Sequence, residues 1–297
     1  MSTGLDAVYD ELKRLQKEGL DRVYINDSTA SLLKPIEPKV IPVKHISAQD
    51  TAALADLIDK PTPRAEPAKP TISVVEIEPL PEAPTIQLPD DAPIAQLKWL
   101  EESVQKCATC NERKNEDEQL VFGNGAIDAD ILFCGDAPGT DEAMSGLPFV
   151  GAAGQLLDKI IKAMGLDREK VYCTNLLKWR PKNDKPYGNR PPTQEEMAFC
   201  LPYLEAQIDI IQPKVIVALG NNTVGGLLGE ETKRKFGSLR GQWDTFHDIP
   251  LMITFHPSYL QRNDTLKTKR MAWEDLLAVM GKVDLPISEK QQGYFLK

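Results

Sequence analysis

A strand-like run that ends on a glycine–proline loop constrains this chain more than any other feature. Ile131-Leu132-Phe133-Cys134 is apolar throughout and is followed at once by Gly135-Asp136-Ala137-Pro138-Gly139. Glycine and proline there make a tight loop at the strand's carboxyl end, and open α/β sheets bind ligands in the crevice at such ends. Downstream the pattern alternates. Gly151 to Met164 carries Leu156, Leu157, Ile160, Ile161 and Met164 at helical spacing, and Val171 to Asn175 reads as a strand. Thr193 with Glu196 forms a capping box for a helix that ends before Pro213. Lys214 to Leu219 has the composition of a buried strand, Asn222 to Leu228 of a short helix, Leu251 to Phe255 of a strand and Thr268 to Gly281 of a last helix. Gln119 to Phe122 is expected to add a further strand. The fold class that follows is α/β: a three-layer, doubly wound, mainly parallel sheet with helices on both faces.

The flanks have a different character. Residues 4–20 are amphipathic, with Leu5, Val8, Leu12 and Leu15 on one face, so residues 1–30 are expected to be a short helical segment. That helix either docks on the domain or serves as a tethered module for a protein partner. Residues 35–93 hold 12 of the 23 prolines, so 31–97 is expected to be a disordered, extended linker. Residues 98–281 then form the folded domain and 282–297 a tail. No apolar run reaches 18 residues, which argues against a membrane-spanning helix. The amino terminus lacks the basic and apolar regions of a secretion signal. A cytoplasmic monomer is expected, in which five cysteines mean metal or free thiols before disulfides.

A net charge of −9 is unpromising for a nucleic-acid binder, but it is unevenly placed. Residues 1–97 carry −6 and the remaining 200 residues only −3. Local basic clusters, such as Lys178, Arg180, Lys182, Lys185 and Arg190, flank the loops of interest. Solvated surface is the usual meaning of such runs; their position beside the loops favours weak phosphate contact.

A second loop, His256-Pro257-Ser258-Tyr259-Leu260, follows the strand at Leu251 to Phe255. Between the two loops lie Leu147-Pro148-Phe149-Val150-Gly151, Asn175 and Asn189-Arg190-Pro191-Pro192. Taken in order, this series resembles family 4 of the uracil-DNA glycosylases, the branch that usually carries a four-iron, four-sulfur cluster, and it covers about residues 100 to 281. Alone, Phe149 would be read as core, Asn175 as a turn cap and His256 as a structural histidine. The resemblance implies uracil-containing DNA as the partner and hydrolysis of the uracil N-glycosidic bond as the reaction. It implies Asp136, His256 and Asn189 as catalytic groups, and Phe149, Asn175, His256 and Ala137 around the base. The chemistry suits these residue types: an aromatic face for a flipped base, a carboxamide for the base edge, an imidazole for the departing anion and a carboxylate for a water. Asp136 stands where the family usually has glutamate, and Ala137 where another glycosylase family has its catalytic aspartate. Ser258, Leu260, Arg262, Gly151 and Arg190 are the expected DNA contacts, with Leu260 the candidate wedge for the space the base leaves.

Cys107-Ala108-Thr109-Cys110 has a metal-type spacing, and Cys200 lies in the helix after Thr193. The resemblance implies these three as cluster ligands, but its fourth ligand position is Trp179. A [4Fe-4S] cluster with an unusual fourth ligand is the expectation, with zinc or an empty site as alternatives. Cys134 reads as core. Two other functions stay open from sequence: a non-catalytic binder of damaged DNA, and a nucleotide-binding α/β module, which the lack of GxGxxG and Walker signatures disfavours.

Overall fold

The computed structural model describes residues 79–183, 188–229 and 235–296, all within the second of two compact units, Val75–Lys297. The expected amino-terminal helix and most of the expected linker lie outside the described residues.

Six strands form one sheet: β1 (Asn124–Gly125), β2 (Ile131–Gly135), β3 (Tyr172–Asn175), β4 (Val215–Leu219), β5 (Trp243–Phe246) and β6 (Ile249–Thr254). Their order is β1-β3-β2-β4-β6-β5. The four inner strands are parallel, and each edge strand is antiparallel to its neighbour. The mainly parallel doubly wound sheet expected from the alternation is therefore present.

Side chains along the inner strands alternate between two cores. Leu132, Cys134, Ile216, Ala218, Leu251 and Ile253 face one side, against helices α1 (Pro93–Lys106), α5 (Gln194–Ile211) and α6 (Asn221–Leu228). Ile131, Phe133, Val215, Val217 and Met252 face the other, against α4 (Ala152–Ala163) and α9 (Leu266–Lys282). Burial on both faces explains why these strands read as continuous apolar runs. Between these lie α2 (Ala108–Arg113), α3 (Thr140–Ser145), α7 (Phe236–Leu239) and α8 (Pro257–Arg262), and α10 (Glu289–Gln292) closes the chain. The Thr193–Glu196 capping box is formed as expected.

Three expectations need correction. Gln119 to Phe122 is not a strand: Val121 N–H bonds the Lys178 carbonyl and Gln119 N–H the Ala143 carbonyl, without a ladder. The short β1 lies just beyond it, after Gly123 at φ +153. The linker does not run to residue 97, because Leu80, Ile86 and Leu88 pack on the first core and α1 starts at Pro93. Nor is 282–297 a loose tail. Leu285, Ile287 and Tyr294 pack on the second core, and the Trp273 indole donates to the Gln291 carbonyl across 2.6 Å.

Candidate active site

The carboxyl ends of β2, β3, β4 and β6 open onto one cavity of about 1090 Å³. Asp136 follows β2, Asn175 ends β3, Gly220 follows β4 and His256 follows β6. All of them line it, with Phe149 and Asn222. Parallel strands bring residues from distant parts of the chain to one edge, as open α/β sheets do.

Two glycines set the geometry of the base-facing groups. A Cβ on Gly135 would lie 2.3 Å from Oδ1 of Asn175 and 2.8 Å from Cζ of Phe149. Gly135 thus lets the amide and the ring close over the strand end. Phe149 itself sits at φ +55, an uncommon conformation for a bulky residue, and such strain clusters at functional sites. A Cβ on Gly154 would fall 1.8 Å from the Phe149 carbonyl oxygen, so the first turn of α4 packs directly on that strained peptide.

Asn175 is 2 % exposed, and its backbone carbonyl accepts from the Lys178 ammonium at 2.8 Å. This lysine is fully buried and also donates to Phe122 O, Thr174 Oγ1 and Gln207 Oε1 at 3.2, 3.0 and 2.8 Å. Burial pulls its ammonium down to about 8. The cage locks the segment on which the Asn175 amide is mounted.

The His256 ring lies 6.2 Å from that of Phe149, centroid to centroid, at 34°. Its Nδ1 accepts from the Ser258 backbone N–H at 3.2 Å and lies 2.8 Å from the Ser258 hydroxyl. A nitrogen accepting from the backbone carries no proton, so the neutral ring bears its proton on Nε2. Burial lowers the histidine below its ordinary value; the Asp136 charge opposes this and Arg262 adds to it. Nδ2 of Asn222 donates to Oδ2 of Asp136 at 2.7 Å. The cavity therefore presents an aromatic face, a carboxamide, a neutral imidazole and an anchored carboxylate.

A profile of the uracil DNA glycosylase superfamily matches residues 122–277. The chain belongs to that superfamily. It is similar to the type-4 uracil-DNA glycosylase of Thermotoga maritima, at 40% identity over 61% of this chain and 91% of the relative. The type-4 uracil-DNA glycosylase of Saccharolobus solfataricus is 36% identical over 58% of this chain and 80% of the relative. That of Archaeoglobus fulgidus is 47% identical over 39% of this chain and 56% of the relative.

In this superfamily member the remaining expected residues fall in two groups. Ala137, Asn189, Arg190, Gly151, Ser258 and Arg262 line the same cavity. Asn189 is exposed at its rim, where Oδ1 accepts from Arg180 Nη1 at 3.4 Å. Arg190 is engaged in a bidentate pair with Glu196, both bonds 2.7 Å, which braces the loop holding Asn189. The Gly151 N–H donates to Glu142 Oε1 at 3.2 Å, so a phosphate would have to displace that carboxylate. Leu260 departs from the expected wedge. It is 6 % exposed and packs with Phe255 and Ala272, while Tyr259 beside it is 40 % exposed. Helix α8 explains the exchange, because it turns Leu260 inward. Asn222 and Glu142 were not singled out from sequence. Both sit at helix starts among residues with no periodic or motif signal.

The cysteines test the cluster. Cys110 interacts through its thiol with those of Cys107 and Cys200, and Cys107 also meets the Tyr203 hydroxyl. The Cys110 thiol contact and burial push the Cys107 thiol far above its ordinary range. Trp179 is fully buried, packs edge-on against Phe199 at 6.1 Å, and leaves its indole Nε1 without a hydrogen bond. An indole nitrogen is a donor only and cannot ligate iron in its place. Among the described residues no group of three or more histidine, cysteine or carboxylate side chains is disposed to hold a metal ion. These residues do not fit a cluster held by four protein ligands. Cys134 and Cys173 are core thiols, each pushed up to about 12 by burial.

Among the described residues no helix is long and apolar enough to cross a membrane.

Proposed function

We propose that this chain removes uracil from DNA by hydrolysing the bond between the base and C1′, leaving an abasic site. The observation that carries it is the convergence of Asp136, Phe149, Asn175 and His256 on one cavity. A base turned out of the stack lies on Phe149, where aromatic stacking contributes about 1–3 kcal/mol. Asn175 donates to O4 and accepts from N3–H; cytosine presents the reverse pattern and is disfavoured. As the C1′–N1 bond breaks, its electron pair stays with the uracil, and charge collects on O2. The Nε2–H of neutral His256 donates there, a hydrogen bond that strengthens as the charge grows. Asp136 holds the water whose oxygen bonds to C1′, and its negative charge offsets the positive charge on the sugar. The proton released by that water is taken up by the departing anion or by solvent.

The cysteine group takes no part in these steps. It acts as a thiol-and-indole packing site between the α1–α2 corner and α5. Arg262 and Tyr259 at the rim support a contact with the DNA strand, with Tyr259 better exposed for insertion than Leu260.

Incubation with a uracil-containing oligonucleotide, then alkali, tests the reaction. Strand scission at the uracil is expected. Tight binding of that oligonucleotide without scission would instead establish a damaged-DNA binder.

A further inference from the structure

We propose that Asn222 is a positioning residue for the Asp136 carboxylate. The inference rests on the proposed role of Asp136 in holding the attacking water, and it adds the group that aims it. Asn222 Nδ2 reaches Asp136 Oδ2 across 2.7 Å, from a residue 86 positions away in sequence. The contact follows from the sheet. β2 and β4 are adjacent and in register up to Cys134 opposite Ala218, so the loop leaving β2 faces the helix start that follows β4. Gly220, at φ +94, turns the chain there and opens α6 with Asn221 and Asn222 at the cavity wall. The same glycine keeps the wall thin, since a Cβ on it would lie 3.0 Å from Cβ of His256.

Among the described residues Asn222 is the only group hydrogen-bonded to this carboxylate. Without it, an aspartate side chain on a cavity wall is free to rotate among several staggered positions. Pinning Oδ2 fixes the direction of the lone pairs on Oδ1, which is what holding a water in line with C1′ requires. The residue type matters too. A carboxamide donates through Nδ2, whereas an acidic residue at 222 would be an acceptor only and would repel its neighbour.

The pair also has a length, which makes it testable. A serine hydroxyl sits one atom nearer the backbone than Asn222 Nδ2, and a glutamate carries its carboxylate about 1.5 Å further out. Exchanging both residues should restore the reach that either exchange alone destroys. Rates and KM on a uracil-containing oligonucleotide would be measured for Asn222→Ser, Asn222→Ala, Asp136→Glu, Asp136→Asn and the Asp136→Glu/Asn222→Ser double variant, with thermal melting alongside. Asn222→Ser and Asn222→Ala are expected to lower kcat roughly tenfold or more, since misplacing a reacting group by about 1 Å costs up to 10²-fold. KM and melting should stay near parental values. The double variant should be faster than Asn222→Ser alone, a rescue that a merely structural role would not produce. Parental kcat in both Asn222 variants, with Asp136→Asn inactive, would overturn the inference and leave the role of Asp136 intact. So would a double variant whose loss is the product of the two single losses. Parental kcat in Asp136→Asn would remove the role of Asp136 itself, and the inference with it.

Discussion

The Ser258 hydroxyl lies 2.8 Å from Nδ1 of His256, and the Ser258 backbone N–H donates to the same nitrogen at 3.2 Å. Two groups of one residue thus hold the neutral form of the ring and leave its proton on Nε2, in a histidine that lines the cavity. The loop makes this possible because Pro257 starts α8 immediately after the histidine, so that His256 caps the helix it precedes.

A pH dependence follows from that arrangement. Burial holds His256 below the ordinary histidine value of 6.5, so the ring stays neutral as the pH falls through that value. The excision rate is expected to remain level there and to decline only at lower pH. Ser258→Ala removes a donor that favours the neutral ring, so its acid limb should move upward. Its rate at neutral pH should fall about tenfold, the equivalent of one hydrogen bond of roughly 1 kcal/mol or slightly more. pH–rate profiles of the two proteins check both points; a parental limb at or above the ordinary value would count against them.

Gly135→Ala should damage recognition more than folding. The added methyl would meet Oδ1 of Asn175 at 2.3 Å and Cζ of Phe149 at 2.8 Å. Both atoms belong to the groups assigned to the base, and the Asn175 backbone is held by the Lys178 cage, so the side-chain amide and the ring must shift to make room. Uracil excision is expected to drop by about 10²-fold, the effect of displacing a positioned group by about 1 Å. Circular dichroism should stay native. Parental kinetics would mean that the amide and ring do not need their close approach.

The parallel sheet was legible in the sequence because its inner strands are buried on both faces and read as unbroken apolar runs, of which Val215–Leu219 is the plainest. The α5 start was legible because Thr193 and Glu196 carry a chemical signature. The edges were not. Trp243–Phe246 turns through His247 and Asp248, both at positive φ, without the glycine-containing pair that marks a two-residue hairpin in sequence. α1 begins among prolines that elsewhere signal linker, and its Pro93 is the first helical residue, where proline is tolerated. Within the site, residues on motif loops were found and their partners from other strands were missed. Asn222 meets Asp136 only because β2 and β4 are neighbours. Leu260 was assigned to the DNA by its place in the motif, whereas the turn of α8 decides that it faces the core.

Trp179 makes a prediction about metal. The Cys110 thiol meets those of Cys107 and Cys200, and the position that the family resemblance gives to a fourth ligand is held by Trp179, a fully buried indole in the same core. Protein purified without exposure to oxygen is expected to contain substoichiometric iron and sulfide and to show no broad visible absorption. Trp179→Cys supplies the missing thiolate and removes the indole's bulk, so this variant should take up iron and sulfide on anaerobic reconstitution. Stoichiometric iron in the parental protein would show that three thiolates suffice with a ligand from outside the chain.

Asp275 couples the wall behind the histidine loop to pH. Its carboxylate is buried on α9 and accepts from the Thr254 hydroxyl and from Arg240 Nη1, both at 2.6 Å, Thr254 being the strand's last residue and two positions before His256. Arg240 in turn sits 5.6 Å over the Phe255 ring, which stacks on Tyr259 at 4.9 Å. Burial raises the Asp275 carboxyl from 3.8 to about 6, outweighing the opposing pull of Thr254 and Arg240. Between those two values the native state holds a proton that the unfolded chain has released, so stability falls as the pH rises across this window and levels off above it. Asp275→Asn keeps the volume and cannot titrate, so it should lose this slope. The unfolding free energy of the parental protein relative to Asp275→Asn is therefore expected to decrease from about pH 4 to pH 6 and then stay constant. Denaturant titrations at several pH values measure the difference directly, and a difference that rises with pH would place the carboxyl below its ordinary value instead.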